Sequence, residues 1–249
     1  MGTVVGVFSA KGGVGKTTVV VNLGTALSDM SKGNVILVET NVTVSTLGLY
    51  FGMTKPPVSI QDILMGRVEV ESAITRYENK LDVLPGDIGF SREFGKLDMG
   101  SLIDPLRKKY GIILIDSSPG FGLEVYSGLK VCDEILIVCQ PEIPSVLGAL
   151  QTYRVADELK IPVVGVVINR VTGKDYEIPV NDIKKTFGGA VVSVIPEDPK
   201  VPESVAIGRP VVLSAPDSPA AVEFRRLARS FYARIKSQKR VKFLKKTVK

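Results

Sequence analysis

Seven short, almost continuously apolar runs punctuate this chain, at residues 4–8, 35–38, 81–84, 112–115, 135–138, 163–168 and 191–195, and most of their residues are Val, Ile or Leu. They do not alternate apolar with polar residues, so such strands leave no face for water. Strands covered on both faces have this composition, and they belong to parallel sheets. Helical spacing fills the gaps, chiefly at residues 16–30, 97–109, 145–159, 180–187 and 218–235. Strand then helix, repeated, closes a sheet through right-handed crossovers. The pattern predicts an α/β fold, a doubly wound and mainly parallel sheet sandwiched by helices, with ligands at the carboxyl ends of the strands. Residues 47–98 follow neither period clearly, and only a short helix near 59–65 and the strand at Leu81 are read there.

With 249 residues, 45% of them hydrophobic, the chain can bury one large core. No Pro, Gly or Ser-rich linker divides it, so residues 1–236 read as one domain. Cys132 and Cys139 are the two cysteines, and histidine is absent. A zinc site or an imidazole acid/base would lack its usual groups. Chemistry must come from lysine, carboxylate, amide, hydroxyl and backbone groups. Seven basic residues and no acid between Lys236 and Lys249 outweigh the net charge of +6, leaving residues 1–235 at about −1. The basic character therefore belongs to a tail, residues 237–249, that asks for an anionic partner. No basic leader precedes the first apolar run, and no run reaches the roughly 18 to 20 residues that span a bilayer. The expected location is the cytoplasm.

The stretch SAKGGVGKTT, residues 9–18, lies between the first strand and the first helix. Glycines there let successive N–H groups of Gly12, Gly13, Val14 and Gly15 converge on phosphate oxygens. Lys16 reaches the β and γ phosphates, Thr17 offers its hydroxyl to Mg2+, and Thr18 at the helix start is a further nucleotide-binding residue. Strand, loop, Gly-Lys-Thr-Thr and helix in this order form a specific signature of a phosphate-binding loop. Ala10 stands where the plain motif has its first glycine, and a second lysine, Lys11, follows.

This form resembles the deviant Walker A motif of the MinD and ParA ATPases. In that family the first lysine crosses a dimer interface to the partner's nucleotide, so the resemblance assigns Lys16 to its own nucleotide and Lys11 to the other. IILIDSSPG, residues 112–120, resembles the family's Walker B and switch II: Asp116 is implied at the Mg2+ water and Gly120 at the γ-phosphate. Asn169 and Arg170 resemble the adenine-binding N-[KR] pair. Residues 195–221, with Pro196 and Asp198 in the I-P-E-D turn beside the base, resemble the archaeal MinD branch.

The match fails at VETNVTVSTL, residues 38–47, the switch I position. Glu39 replaces the first aspartate, Asn41 the second and Thr46 the asparagine. In the family it resembles, the second aspartate orients the attacking water and can take its proton; an amide holds water but takes no proton at neutral pH. Two readings stay open: Asn41 supports slow turnover as glutamine does in GTPases, or it prolongs an ATP-bound state. Gly148 likewise stands where an acidic residue is common.

The resemblance implies a MinD-like ATPase that binds Mg-ATP, forms a homodimer through the nucleotide sandwich and answers to a protein regulator or cargo as a spatial-positioning switch. The tail adds an expectation of peripheral attachment to an anionic membrane, because Val241, Leu244 and Val248 share a helical face opposite lysines. An ATP-loaded scaffold that does not hydrolyse is the second reading. A ParA-like partitioning ATPase, using the tail on DNA, is the third.

Overall fold

The computed structural model describes residues 1–78, 80–89 and 98–247, with side chains up to residue 238. Eight strands form one sheet: β1 (Thr3–Phe8), β2 (Val35–Glu39), β3 (Thr75–Tyr77), β4 (Leu81–Leu84), β5 (Ile112–Asp116), β6 (Glu134–Cys139), β7 (Val163–Val171) and β8 (Val191–Pro196), in the spatial order β3-β4-β2-β5-β1-β6-β7-β8. Every pairing is parallel except β3 with β4 at one edge. All seven apolar runs are strands of this sheet. The antiparallel β3 was not read from the sequence, because three half-exposed residues carry no pattern.

The helices are α1 (Lys16–Ser31), α2 (Ile60–Leu64), α3 (Met99–Lys109), α4 (Leu123–Lys130), α5 (Ile143–Glu158), α6 (Val180–Thr186), α7 (Lys200–Ala206), α8 (Val211–Ser214) and α9 (Pro219–Thr247). Neighbouring residues on each buried strand serve opposite layers, as the period of two requires. On β2, Val35 and Leu37 face the layer of α1, α8 and α9, while Ile36 and Val38 face α3. On β6, Leu136 and Val138 join the first layer, and Ile135 and Ile137 pack under α4, α5 and α6. Leu37 and Ile137 have no exposed surface, and each buried aliphatic side chain of this kind stabilises the fold by about 1.5–3 kcal/mol.

Helix α9 does not stop where the domain reading ended. It runs unbroken from Pro219 to Thr247, so the basic tail begins as a continuation of a core helix whose last buried side chain among the described residues is Ile235. The side chains of Val241, Leu244 and Val248, on which the lipid-facing stripe was read, lie outside the described residues. Among those described, no helix is long and apolar enough to cross a membrane.

The order of the strands fixes where a ligand can enter. From β1 the chain crosses over β5 to reach β2, and from β5 it crosses over β1 to reach β6. Connections leave in opposite directions at the carboxyl ends of β1 and β5, which opens a crevice there.

Candidate functional site

A cavity of about 690 Å3 occupies that crevice, within the size range of small-molecule sites. The loop after β1 forms one wall. Gly15, in the left-handed region at φ 94°, caps α1 without any side-chain hydrogen bond. A Cβ at Gly15 would fall 2.2 Å from Asn169 Nδ2, so both the conformation and the close approach demand glycine. Val19 N is the first helical donor to bond back, to Gly15 O at 2.9 Å. The preceding N–H groups at the start of α1 remain for an anion, where the helix also carries its partial positive charge.

Gly12, Gly13, Gly15, Lys16, Thr17 and Thr18 line the cavity, together with Asn41, Asn169, Arg170, Pro196 and Asp198. These residues come from loops far apart in the chain, and the sequence assigned all of them to one ligand. Val14 is buried in the core and contributes through its carbonyl, which accepts from Asn169 Nδ2 at 2.8 Å. Arg170, at φ 60°, is gripped by Glu197 at 2.7 Å. Asp198 accepts from Lys200 N and Ala220 N, so its carboxylate joins α7 to α9 beside the cavity. Gly120 N donates to Ser9 O at 3.3 Å. That bond draws the switch II loop onto the phosphate loop.

The charged centre lies beneath Thr17. Its hydroxyl donates to Asp116 Oδ2 at 2.7 Å, while Asp116 Oδ1 is buried without a partner. Lys16 Nζ donates to Ser9 Oγ at 3.1 Å. Burial lowers the Lys16 pKa below its ordinary value, opposed by the charges of Asp116 and Glu39. Burial raises that of Asp116 to about 6, opposed by the Thr17 hydrogen bond and by Lys16. Burial and then the Asp116 charge raise that of Glu39 to about 8, against three N–H donors. Those donors are Asn41 N, Thr46 N and Leu47 N, at 3.0, 2.8 and 2.9 Å. Glu39 thus folds the switch I segment around its own carboxylate, a role the sequence did not reveal.

An unpartnered carboxylate oxygen beside a threonine hydroxyl fits a hard cation. No cluster of three or more His, Cys, Asp or Glu occurs among the described residues, so such a cation would complete its shell with water and phosphate, as Mg2+ prefers. The residues present therefore fit Mg2+ held by Thr17 and Asp116.

Asn41 is engaged at its side-chain oxygen, which lies 3.2 Å from both Val44 N and Ser118 Oγ. Ser118 also contacts Glu124. Lys11 stands apart from the cavity lining. Its ammonium pairs with Glu142, and both side chains are partly exposed. Gly148, on α5 above the loop, has a packing reason to be small: a Cβ there would fall 3.1 Å from Ala10 Cβ. The sequence reading missed Tyr50 and the apolar wall of Val201, Pro202, Val205 and Ala206. They lie in stretches where neither helical nor strand spacing gave a signal.

Strand, glycine loop, helix start and a distant carboxylate meeting at the switch point define a P-loop nucleotide-binding protein. A family profile described as "AAA domain" matches residues 2–162. The cell division ATPase MinD of Pyrococcus furiosus superposes with a TM-score of 0.87 at 31% identity, covering 94% of this chain and 99% of that one. The septum site-determining protein MinD of Pyrococcus horikoshii, complexed with Mg-ADP, gives 0.85 at 30% identity over 93% and 96%. An ATP-binding protein of Methanocaldococcus jannaschii is 30% identical, over 92% of this chain and 87% of its own length. The chain belongs to the MinD/ParA family of P-loop ATPases, whose cofactors are adenine nucleotide and Mg2+.

Proposed function

We propose that this protein is a MinD-like switch that binds Mg-ATP, dimerises face to face across two nucleotides, and hydrolyses ATP slowly to ADP and phosphate. Cellular positioning, of the division site or another structure, is the role such a cycle serves, with a regulator or cargo protein recognising the ATP-bound dimer.

The observation that carries this reading is the separation of the two lysines. Lys16 is buried in its own cavity, 7% exposed, and is assigned to the phosphates of its own nucleotide. Lys11 is partly exposed and pairs with Glu142, apart from the lining of that cavity. In the proposed dimer, Lys11 would offset the repulsion between two triphosphates, as an arginine finger does. Mg2+ held by Thr17 and Asp116 would supply charge that neutralises the phosphates.

Slow hydrolysis follows from Asn41. Its amide can orient a water but has no site for the proton, and its oxygen is already shared by Val44 N and Ser118. This observation also favours the second reading, a scaffold that loads ATP and keeps it. Single-turnover hydrolysis separates the two. Slow but steady ADP formation over hours, accelerated by about tenfold or more in Asn41→Asp, supports the cycling ATPase. ATP retained by both proteins contradicts it. The helical continuation of α9 supports a further part of the reading, in which paired basic ends of a dimer hold an anionic membrane and a DNA-partitioning role takes third place.

A further inference from the structure

Tyr50 is a cavity residue to which the phosphate-loop motif assigns no task. It belongs to the 3-10 turn Leu47–Phe51, whose Leu47 and Phe51 are buried in the core, so the turn is fixed from behind while Tyr50 faces the cavity. Glu39 holds its upstream end through Thr46 N and Leu47 N. Downstream, Gly52 follows at φ 72° and lies so close to Gly208 that a Cβ on Gly208 would fall 2.6 Å from Gly52 Cα. Three separate attachments therefore set the position of the ring. At that position the Tyr50 hydroxyl lies 3.0 Å from Thr18 Oγ1.

Two hydroxyls carry two protons, and the bond between them uses one. The other remains for an acceptor, and among the described residues the pair makes no further hydrogen bond. The surroundings select the acceptor's chemistry. Thr18 lies in the first turn of α1, where no side chain caps the helix, and free N–H groups and partial positive charge favour an anionic oxygen over a neutral sugar hydroxyl. Phosphate loops place the lysine at the β and γ phosphates and the backbone of the helix start at α and β. A donor one residue beyond Thr17 falls on the α side.

We propose that Tyr50 is a nucleotide-positioning residue: the Tyr50–Thr18 hydroxyl pair donates its spare proton to an α-phosphate oxygen of the bound nucleoside di- or triphosphate. The inference rests on the cavity being the Mg-nucleotide site. Because ADP and ATP share the α-phosphate, the contact holds in both states and ties the turn after switch I to α1 whatever the state of the γ-phosphate.

The test is the affinity of the full-length protein for Mg-ADP, Mg-ATP and the two diastereomers of ADP carrying sulfur on the α-phosphate, compared with Tyr50→Phe and Thr18→Val. Tyr50→Phe keeps the ring and is expected to fold. It should weaken ADP and ATP alike, by about tenfold, and narrow the preference between the sulfur diastereomers. Thr18→Val should do the same, and the double variant should be little worse than either single one. Unchanged affinity in Tyr50→Phe overturns the proposal, as does a loss confined to ATP. A weaker affinity with an unchanged diastereomer ratio also overturns it, since packing alone would then explain the loss. Failure of the unmodified protein to bind Mg-ADP would instead refute the nucleotide-site reading beneath it.

Discussion

Glu39 has no exposed surface and accepts three backbone N–H groups, yet burial and the nearby Asp116 hold its pKa at about 8, against 4.5 for a free glutamate. The folded state therefore binds this proton more tightly than the unfolded chain. Its contribution to stability is complete below about pH 4.5 and is lost as pH rises through about 8, a difference on the order of a few kcal/mol. Thermal unfolding of the nucleotide-free protein should show stability falling between about pH 4.5 and about pH 8, with a flatter profile in Glu39→Gln. Parallel profiles for the two proteins would contradict this account of Glu39. The sequence made the motif residues legible one by one, because phosphate and Mg2+ chemistry restricts which side chains serve. It did not reveal Glu39 as the centre of the switch I segment, because its partners are backbone N–H groups, which carry no signature in residue type. Tyr50 escaped for a related reason: a lone tyrosine in an unpatterned stretch becomes a cavity residue only when the turn around it is built.

At the scale of elements, burial decided what could be read. Strands such as β5, with every residue buried, write their environment directly into the sequence. Long helices do so through their packed face. Elements held by tertiary contact rather than by their own pattern were missed. Helix α4 starts after Gly122 with Leu123 exposed, α7 contains Pro202, and α8 is four residues long. Helix α9 differed in length for a local reason: Lys, Arg, Gln and Leu beyond Ile235 are all good helix formers, so nothing stops the helix at the core boundary. Among the described residues of α9, Phe224, Leu227, Phe231 and Ile235 are large buried side chains, and the basic segment follows them in the sequence. Deleting residues 239–249 should change folding stability by about 0.5 kcal/mol or less, leave dimerisation intact and reduce cosedimentation with anionic phospholipid vesicles. Undiminished vesicle binding would remove the membrane role from the tail.

For the whole molecule, the doubly wound order puts a deep anionic-ligand cavity at the switch point of one face, and the rim of that face carries the lysine the cavity does not use. Ile143 and Leu147, on α5 beside the Lys11–Glu142 pair, are 65% and 55% exposed, so an apolar surface adjoins that charge. The proposed dimer gives that lysine its use, at the nucleotide of the other protomer. The measurement that tests this most directly is the solution mass of the protein by sedimentation velocity in Mg-ATP and in Mg-ADP, with Lys11→Ala alongside. A dimer is expected in Mg-ATP and a monomer in Mg-ADP, with Lys11→Ala monomeric in both while still binding one nucleotide per chain. A Lys11→Ala protein that dimerises in Mg-ATP as the unmodified chain does would contradict it.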